Sequence, residues 1–333
     1  MPTDKSVAVD PDTARGKPAL RVGIVTPYYK ESPGVLKACH DSVVAQTYAC
    51  THYMVADGHP QPHVDGWNVV HIPLANSHGD NGNHARWVGA LAALADGCNA
   101  IAFLDADNWF APEHIAGMIE LHAATGAAIC TSGRAIHHLD GSFLITCKEN
   151  DGETFVDTSC FFFTAAAFSL LSLWGTMPKT FSPINDRVLW AAARVRGIST
   201  AHDGRATVMF RSKYSFHYKW AGVAVPEGTG KPADAEPAFQ AWKTLNEDRK
   251  RFIYSGHTDA AGRFYNFDDE IAVRFARAND LLAQGRVVEA AEIYLGVLKA
   301  APLHHEALRD LAGAWRTRAR MQAAERILSL VNG

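Results

Sequence analysis

The stretch Ile101-Ala102-Phe103-Leu104-Asp105-Ala106-Asp107-Asn108 constrains this chain more than any other. Four apolar residues run directly into two carboxylates separated by one small residue. An unbroken apolar run of this kind predicts a strand buried on both faces, as in a parallel sheet. Its carboxyl end then opens on the crevice where open α/β sheets bind ligands. Two carboxylates so close repel each other unless water surrounds them or a cation lies between them. An oxygen-ligated Mg²⁺ or Mn²⁺, completed by phosphate oxygens and water, suits that position. A solvated turn is the competing reading, because Asp and Asn are common turn formers.

The flanking sequence supports a sheet. Leu20 to Pro27 reads as a strand stopped by proline, and Val35 to Gln46 has helical spacing. Tyr53 to Ala56 is a second strand, ending in Asp57-Gly58. Asn68 to Ile72 is a third, closed by Pro73. A helix from about Ala85 to Ala95 leads into the Ile101 strand, and Pro112 opens another helix. This alternation predicts a mostly parallel sheet with helices on its faces. Beyond Ala127 the pattern changes. A strand over 127–131 is followed by a hairpin over 135–148 around Asp140-Gly141, then an extended piece over 153–157. Helices follow near 165–173 and 185–196, and a strand over 206–210 leads into Arg211 and Lys213.

The domain organisation read from this pattern has four parts. Residues 1–18 are a polar, flexible leader, and 19–221 form the α/β domain. Residues 222–237, rich in Pro, Gly and Ala, form a linker, and 238–333 a helical tail. In the tail, Ala278, Leu281, Gly285, Ala290, Tyr294 and Pro302 fall at spacings that resemble a tetratricopeptide unit. Ala312, Trp315, Ala324 and Ile327 echo them one repeat later. Such an array needs about three repeats to stand alone. The tail is therefore expected to pack on the rest of the chain, to recruit a protein partner or to pair with a second copy.

Composition excludes several classes. With 333 residues, 47% of them apolar, the chain can bury a full core, and its net charge of −3 offers no basic excess for nucleic acid or an anionic membrane. The sixteen histidines show no metal-ligand spacing of the HExxH kind. The six cysteines form no CxxC pair and read as buried thiols in a reducing compartment. No stretch approaches the ~20 apolar residues that cross a bilayer. The expectation is a cytoplasmic protein without a transmembrane segment.

Six separate pieces, in order, resemble the family 2 glycosyltransferases. They are Val22-Gly-Ile-Val-Thr-Pro-Tyr-Tyr-Lys30, Asp41-Ser-Val-Val-Ala-Gln-Thr-Tyr48, Met54-Val-Ala-Asp57-Gly58, Asn83-His-Ala-Arg86-Trp-Val-Gly89, Ala102-Phe-Leu-Asp-Ala-Asp-Asn108 and Asn185-Asp186. The resemblance implies an α/β fold of the GT-A nucleotide-sugar type, a mixed sheet flanked by helices, with a small all-α tail. It also implies inverting, metal-dependent transfer of a sugar from a nucleotide-sugar, with UDP-sugar favoured, to a hydroxyl of a glycan, small-molecule or protein acceptor.

The same resemblance assigns roles. Asp57 would accept a hydrogen bond from the donor base, with Thr26, Pro27 and Tyr28 lining that pocket. Arg86 would face the diphosphate, where a planar guanidinium binds two oxygens. Asp107 would ligate Mn²⁺ or Mg²⁺, and Asp105 would contact the ribose or a metal-bound water. The family's "YR-x-H" is here Phe210-Arg211-Ser212-Lys213, so the usual His is missing. Arg211 and Lys213 would contact phosphate, or His217 would serve as a third metal ligand. Asp186 would be the general base for the acceptor hydroxyl, although the family's Glu-Asp is here Asn185-Asp186. Trp109 and Trp174 are candidate floors for the acceptor. Each residue also has a plainer reading: a turn for Asp57, a surface arginine for Arg86, a helix-start acid for Asp186 and core for the tryptophans.

Two other functions fit the pattern less well. One is a catalytically inactive domain that binds ligand while its tail recruits a partner. The other is a sugar nucleotidyltransferase, whose Gly-rich basic loop is absent from Thr26-Pro27-Tyr28-Tyr29-Lys30-Glu31.

Overall fold

The computed structural model describes residues 19–230 and 235–254, with scattered positions between 274 and 293. The expected leader and the repeat positions Tyr294, Pro302, Ala312, Trp315, Ala324 and Ile327 lie outside the described residues. All seven residues of β1 (Val22–Tyr28) are buried. Pro27 lies within this strand rather than ending it. The pairing of β1 with its neighbour on one side stops at Val25, so no ladder bond there needs a donor from Pro27. Helix α1 (Pro33–Val44) opens on proline, which supplies the φ that a first turn needs.

Strands β2 (Cys50–Asp57) and β3 (Val70–Leu74) follow. Pro73 also sits inside its strand, which is tolerated because β3 is an edge strand. Helix α2 (Asn83–Ala95) is buried from Asn83 to Ala93. It reaches β1 and β2 closely at Gly89, where an added Cβ would stand 2.5 Å from Val25 Cγ1 and 2.9 Å from Val55 Cγ2.

Next come β4 (Ala100–Phe103), the short β5 (Trp109–Phe110) and α3 (His114–Thr125), which ends on Gly126 at φ +68°. The expected hairpin is β6 (Ile129–His137) with β7 (Phe143–Thr146). The expected extended piece over 153–157 is instead a loop, because the Asp151 carboxylate gathers the backbone N–H groups of Glu153 and Thr154. Strand β8 (Phe161–Thr164) is followed by a helical turn over 165–170, then α4 (Ser172–Thr176), α5 (Asn185–Val195) and β9 (Thr200–Arg211). Helices α6 (Ser215–Trp220), α7 (Ala235–Thr244) and α8 (Glu247–Tyr254) complete the described chain.

The sheet runs β3-β2-β1-β4-β8-β6-β9-β5. The first four strands are parallel, as expected. β8 then runs antiparallel to both β4 and β6, so the sheet is mixed rather than mostly parallel. β6 and β9 are parallel, and β5 is antiparallel to β9. Phe161, Phe162 and Phe163 of β8 are fully buried at the middle of the sheet, where Phe163 meets Phe103 edge-on at 5.7 Å. They belong to the core.

The segment before α7 is tied down at Gly230. Its carbonyl accepts Ser215 N–H and its own N–H reaches Lys213 O. α7 lies on the 179–184 turn through an edge contact of Trp242 with Phe181 at 4.9 Å. All six cysteines are free thiols. Among the described residues no helix is long and apolar enough to cross a membrane.

Candidate active site

The carboxyl ends of β1, β2 and β4 open on a single cleft of about 980 Å³. Pro27, Tyr28, Asp57, Arg86, Asp105, Asp107, Asp186, Arg211, Lys213 and His217 all line it. Segments far apart in the chain thus meet at the place where the parallel half of the sheet ends. Three candidates stand differently. Thr26 is fully buried, and strand alternation turns its hydroxyl away from the cleft, to His52 Nε2 at 2.9 Å. Trp174 is 1% exposed and belongs to the core, where it packs against Phe103 and carries the Arg86 guanidinium at 5.3 Å. Trp109 is held between Arg211, 5.1 Å above its ring, and His137.

At the β2 end, Asp57 accepts hydrogen bonds from His78 N and His78 Nδ1, both at 2.9 Å, and from Ser77 Oγ at 3.1 Å. Burial pushes this carboxyl up, but the His78 and Ser77 donors outweigh it and hold Asp57 below the usual range. Tyr28 is fixed by a relay absent from the sequence reading. Its hydroxyl meets His71 Nε2 at 2.6 Å, and His71 Nδ1 meets Asp65 Oδ1 at 2.5 Å. Burial, the largest cause, pushes the phenol up to about 12, so it stays protonated.

Arg86 is a buried cleft residue, not a surface one. Its NH2 pairs with Asp105 at 2.5 Å and its NH1 donates to Asn81 O at 2.7 Å. Asp107 pairs with Lys213 Nζ at 2.8 Å. Between the two acids and β9, Asn108 acts as a brace. Its Nδ2 donates to Ser159 Oγ and its Oδ1 accepts Arg211 N–H, both at 3.1 Å. Arg211 also donates to the hairpin carbonyl of Leu139. His217 donates to or accepts from Ser212 Oγ at 2.7 Å through Nδ1, and its Nε2 is buried without a partner. Burial, then the Arg134 charge, lowers His217 to about 3, which leaves the neutral imidazole that metals bind.

No cluster of three acidic, His or Cys side chains stands assembled for a metal among the described residues. Mg²⁺ sites of the phosphate-binding kind need only one or two carboxylates, with the other ligands from phosphates and water. Asp105 and Asp107, one residue apart on the cleft, suit a cation of that kind, whereas the His217 nitrogen is not assembled with them as a third ligand. They do not fit an all-protein cage.

Asp186 lies in the first turn of α5 but does not cap it; the cap position is Ile184. Asn185, which replaces the expected Glu, is structural. It donates to Asn83 Oδ1 at 2.6 Å and accepts Asp186 N–H, which joins α5 to α2. Burial, then the charge of Asp157, pushes the Asp186 carboxyl up to about 7, against the opposing charge of Arg187. The buried pair of Arg134 and Asp157, 2.5 Å apart, also lines the cleft. Sequence reading missed it. The available signal was an arginine inside an otherwise apolar or small-residue strand.

The glycosyl transferase family 2 model matches residues 23–166, from β1 to just past β8. No curated relative matches the chain. Similar solved structures include S. aureus TarS 1–349 in complex with UDP, 12% identical, with 90% of each chain covered and a TM-score of 0.46. The same protein in complex with UDP-GlcNAc is 11% identical at a TM-score of 0.45, covering 93% of this chain and 90% of that one. A longer S. aureus TarS structure is 12% identical at a TM-score of 0.44, with 93% of this chain and 55% of that one covered.

Proposed function

We propose that the cleft binds a nucleoside diphosphate sugar, with uridine as the carrier, and transfers the sugar with inversion to an acceptor hydroxyl. The observation that carries this reading is the meeting of Asp57, Arg86, Asp105, Asp107 and Asp186 around one cleft at the sheet's carboxyl edge. The family 2 match over residues 23–166 supports it.

In this mechanism Asp57 receives the base N–H beside Tyr28 and Pro27, and the diphosphate lies toward Arg86, Arg211 and Lys213. Asp186 takes the acceptor proton as the hydroxyl oxygen attacks the anomeric carbon. The bond from that carbon to the phosphate oxygen breaks, and the electron pair leaves with the nucleoside diphosphate. A carboxyl poised near 7 suits a base working at neutral pH. Asp107 and Asp105 would hold the divalent cation, which when bound offsets charge on the departing diphosphate. Lys213 is 60% exposed, and such a pair with Asp107 contributes only about 0–1 kcal/mol, so Lys213 can release the acid and turn to phosphate.

The test is Asp186→Asn, assayed for nucleotide binding and for transfer. The expected variant binds nucleotide as the parent does and loses transfer by at least ~10²-fold, the usual scale of a general base. Transfer at the parental rate would remove Asp186 from this role.

A further inference from the structure

The acceptor side of the cleft, beside Asp186, carries a stack of alternating rings and guanidiniums. Arg134 lies 4.6 Å from the Phe210 ring centre and 5.3 Å from that of Phe155. Arg187 lies 4.3 Å from the Phe155 ring centre and 5.2 Å from that of Phe239. Phe155 is thus shared by two cations, and all five residues line the cleft. Stacking occupies the flat faces of a guanidinium and leaves its in-plane N–H groups directed outward. Those edges match a planar or tetrahedral oxyanion.

The two cations share one ion-paired acid, Asp157, while Asp186 acts on them only by its charge through space. Arg134 pairs with Asp157, yet its Nε is buried without a hydrogen bond. Arg187 is exposed, and among the described residues no carboxylate lies within ion-pair distance of it. Nearby Glu236 receives Gln240 at 2.7 Å, and Glu149 is exposed to solvent. Asp186 uses one carboxylate oxygen to accept the Arg187 backbone N–H at 2.7 Å. An exposed arginine is ordinarily mobile. Here two rings hold it next to the base with its hydrogen-bonding edge unmatched. A neutral glycan would leave that edge without an ion-pair partner.

We propose that the Phe210–Arg134–Phe155–Arg187–Phe239 ladder binds an oxyanion of the acceptor, a carboxylate or phosphate ester, next to the hydroxyl that reacts. This rests on the reading that Asp186 faces the acceptor. Arg187 supplies the direct contact, and Arg134 and Phe155 hold its plane.

The experiment titrates the full chain with glucose, glucuronate and glucose 6-phosphate, which share most ring hydroxyls and differ in charge. UDP is titrated in parallel. The expected result is that at least one of the two anions binds about tenfold or more tightly than glucose, the scale of one charge-assisted contact. The two anions separate a carboxylate site from a phosphate site. Arg187→Gln should abolish the preference, Arg187→Lys should retain part of it, and Arg205→Gln, at an exposed arginine of β9 outside the cleft, should leave it unchanged. Equal binding of the three sugars, or a preference that survives Arg187→Gln, overturns the proposal. UDP binding without an anion preference overturns this inference alone. An anion preference without UDP binding keeps the ladder as an oxyanion site and overturns the donor reading instead.

Discussion

Replacing Asp157 by asparagine removes one charge from a buried ion pair and keeps its shape. Arg134 and Asp157 are only 4% and 6% exposed, and the guanidinium stays charged because its attraction to Asp157 outweighs its burial. The substituted amide can still accept the Ser159 N–H that Asp157 accepts at 3.0 Å, so the local turn survives. Lost are the counter-charge to Arg134 and the hydrogen bond that Arg134 NH1 donates to the second carboxylate oxygen, where the amide would place a donor instead. Removing one partner of such a pair costs about 3–5 kcal/mol, because the remaining charge is left buried. The Ser159 hydrogen bond that the amide keeps places the expected loss near the lower end, about 3 kcal/mol. A domain of this size loses roughly 2–4 °C per kcal/mol, so melting should fall by about 6–12 °C. Differential scanning calorimetry at pH 7 measures it. A companion variant, Arg134→Met with Asp157→Leu, removes both charges and should lose less than Asp157→Asn does. A fall below about 2 °C in Asp157→Asn would refute the reasoning, since it would mean that Arg134 reaches water without its partner.

The remaining predictions concern the base and the packing. Transfer should fall below about pH 7 as Asp186 takes up its proton, because a carboxyl raised to about 7 is an active base only above that value. In Asp157→Asn this acid limb should move to lower pH, since a charge that raises Asp186 is gone; a pH–rate profile reads both. Gly89→Ala should destabilise by about 1–3 kcal/mol in urea unfolding, because its Cβ would strike Val25 at 2.5 Å in the packed layer between α2 and the sheet.

The parallel half of the fold was legible because buried parallel strands are written as unbroken apolar runs. Val22–Val25, Tyr53–Ala56 and Ile101–Leu104 declare themselves, and the acids at their ends declare the cleft. β8 was missed altogether, since Phe161-Phe162-Phe163 signals burial but carries neither element type nor direction. β9 begins six residues before its expected start, because His202-Asp203-Gly204-Arg205 conceals a strand that is half exposed. Two prolines misled the strand ends. Pro27 and Pro73 lie where no ladder donor is needed, a fact about neighbouring strands that local sequence does not contain.

The site divides the same way. Asp57, Asp105, Asp107, Arg86 and Asp186 sit in recognisable local patterns, and the fold brings all five to one cleft. The pair Arg134–Asp157, the relay Tyr28–His71–Asp65 and the ladder around Phe155 join residues distant in sequence. No spacing rule links them. Trp174 was misplaced because a tryptophan beside a short helix reads equally as a sugar platform or as core, and only its burial under Arg86 decides.

The most direct test of the central claim is calorimetric titration of the full chain with UDP, GDP, dTDP and CDP, each with and without Mn²⁺. UDP alone of the four is expected to bind, in the presence of Mn²⁺, and Asp107→Ala to weaken this binding sharply. Absence of binding by all four nucleotides, with the protein folded, would contradict it.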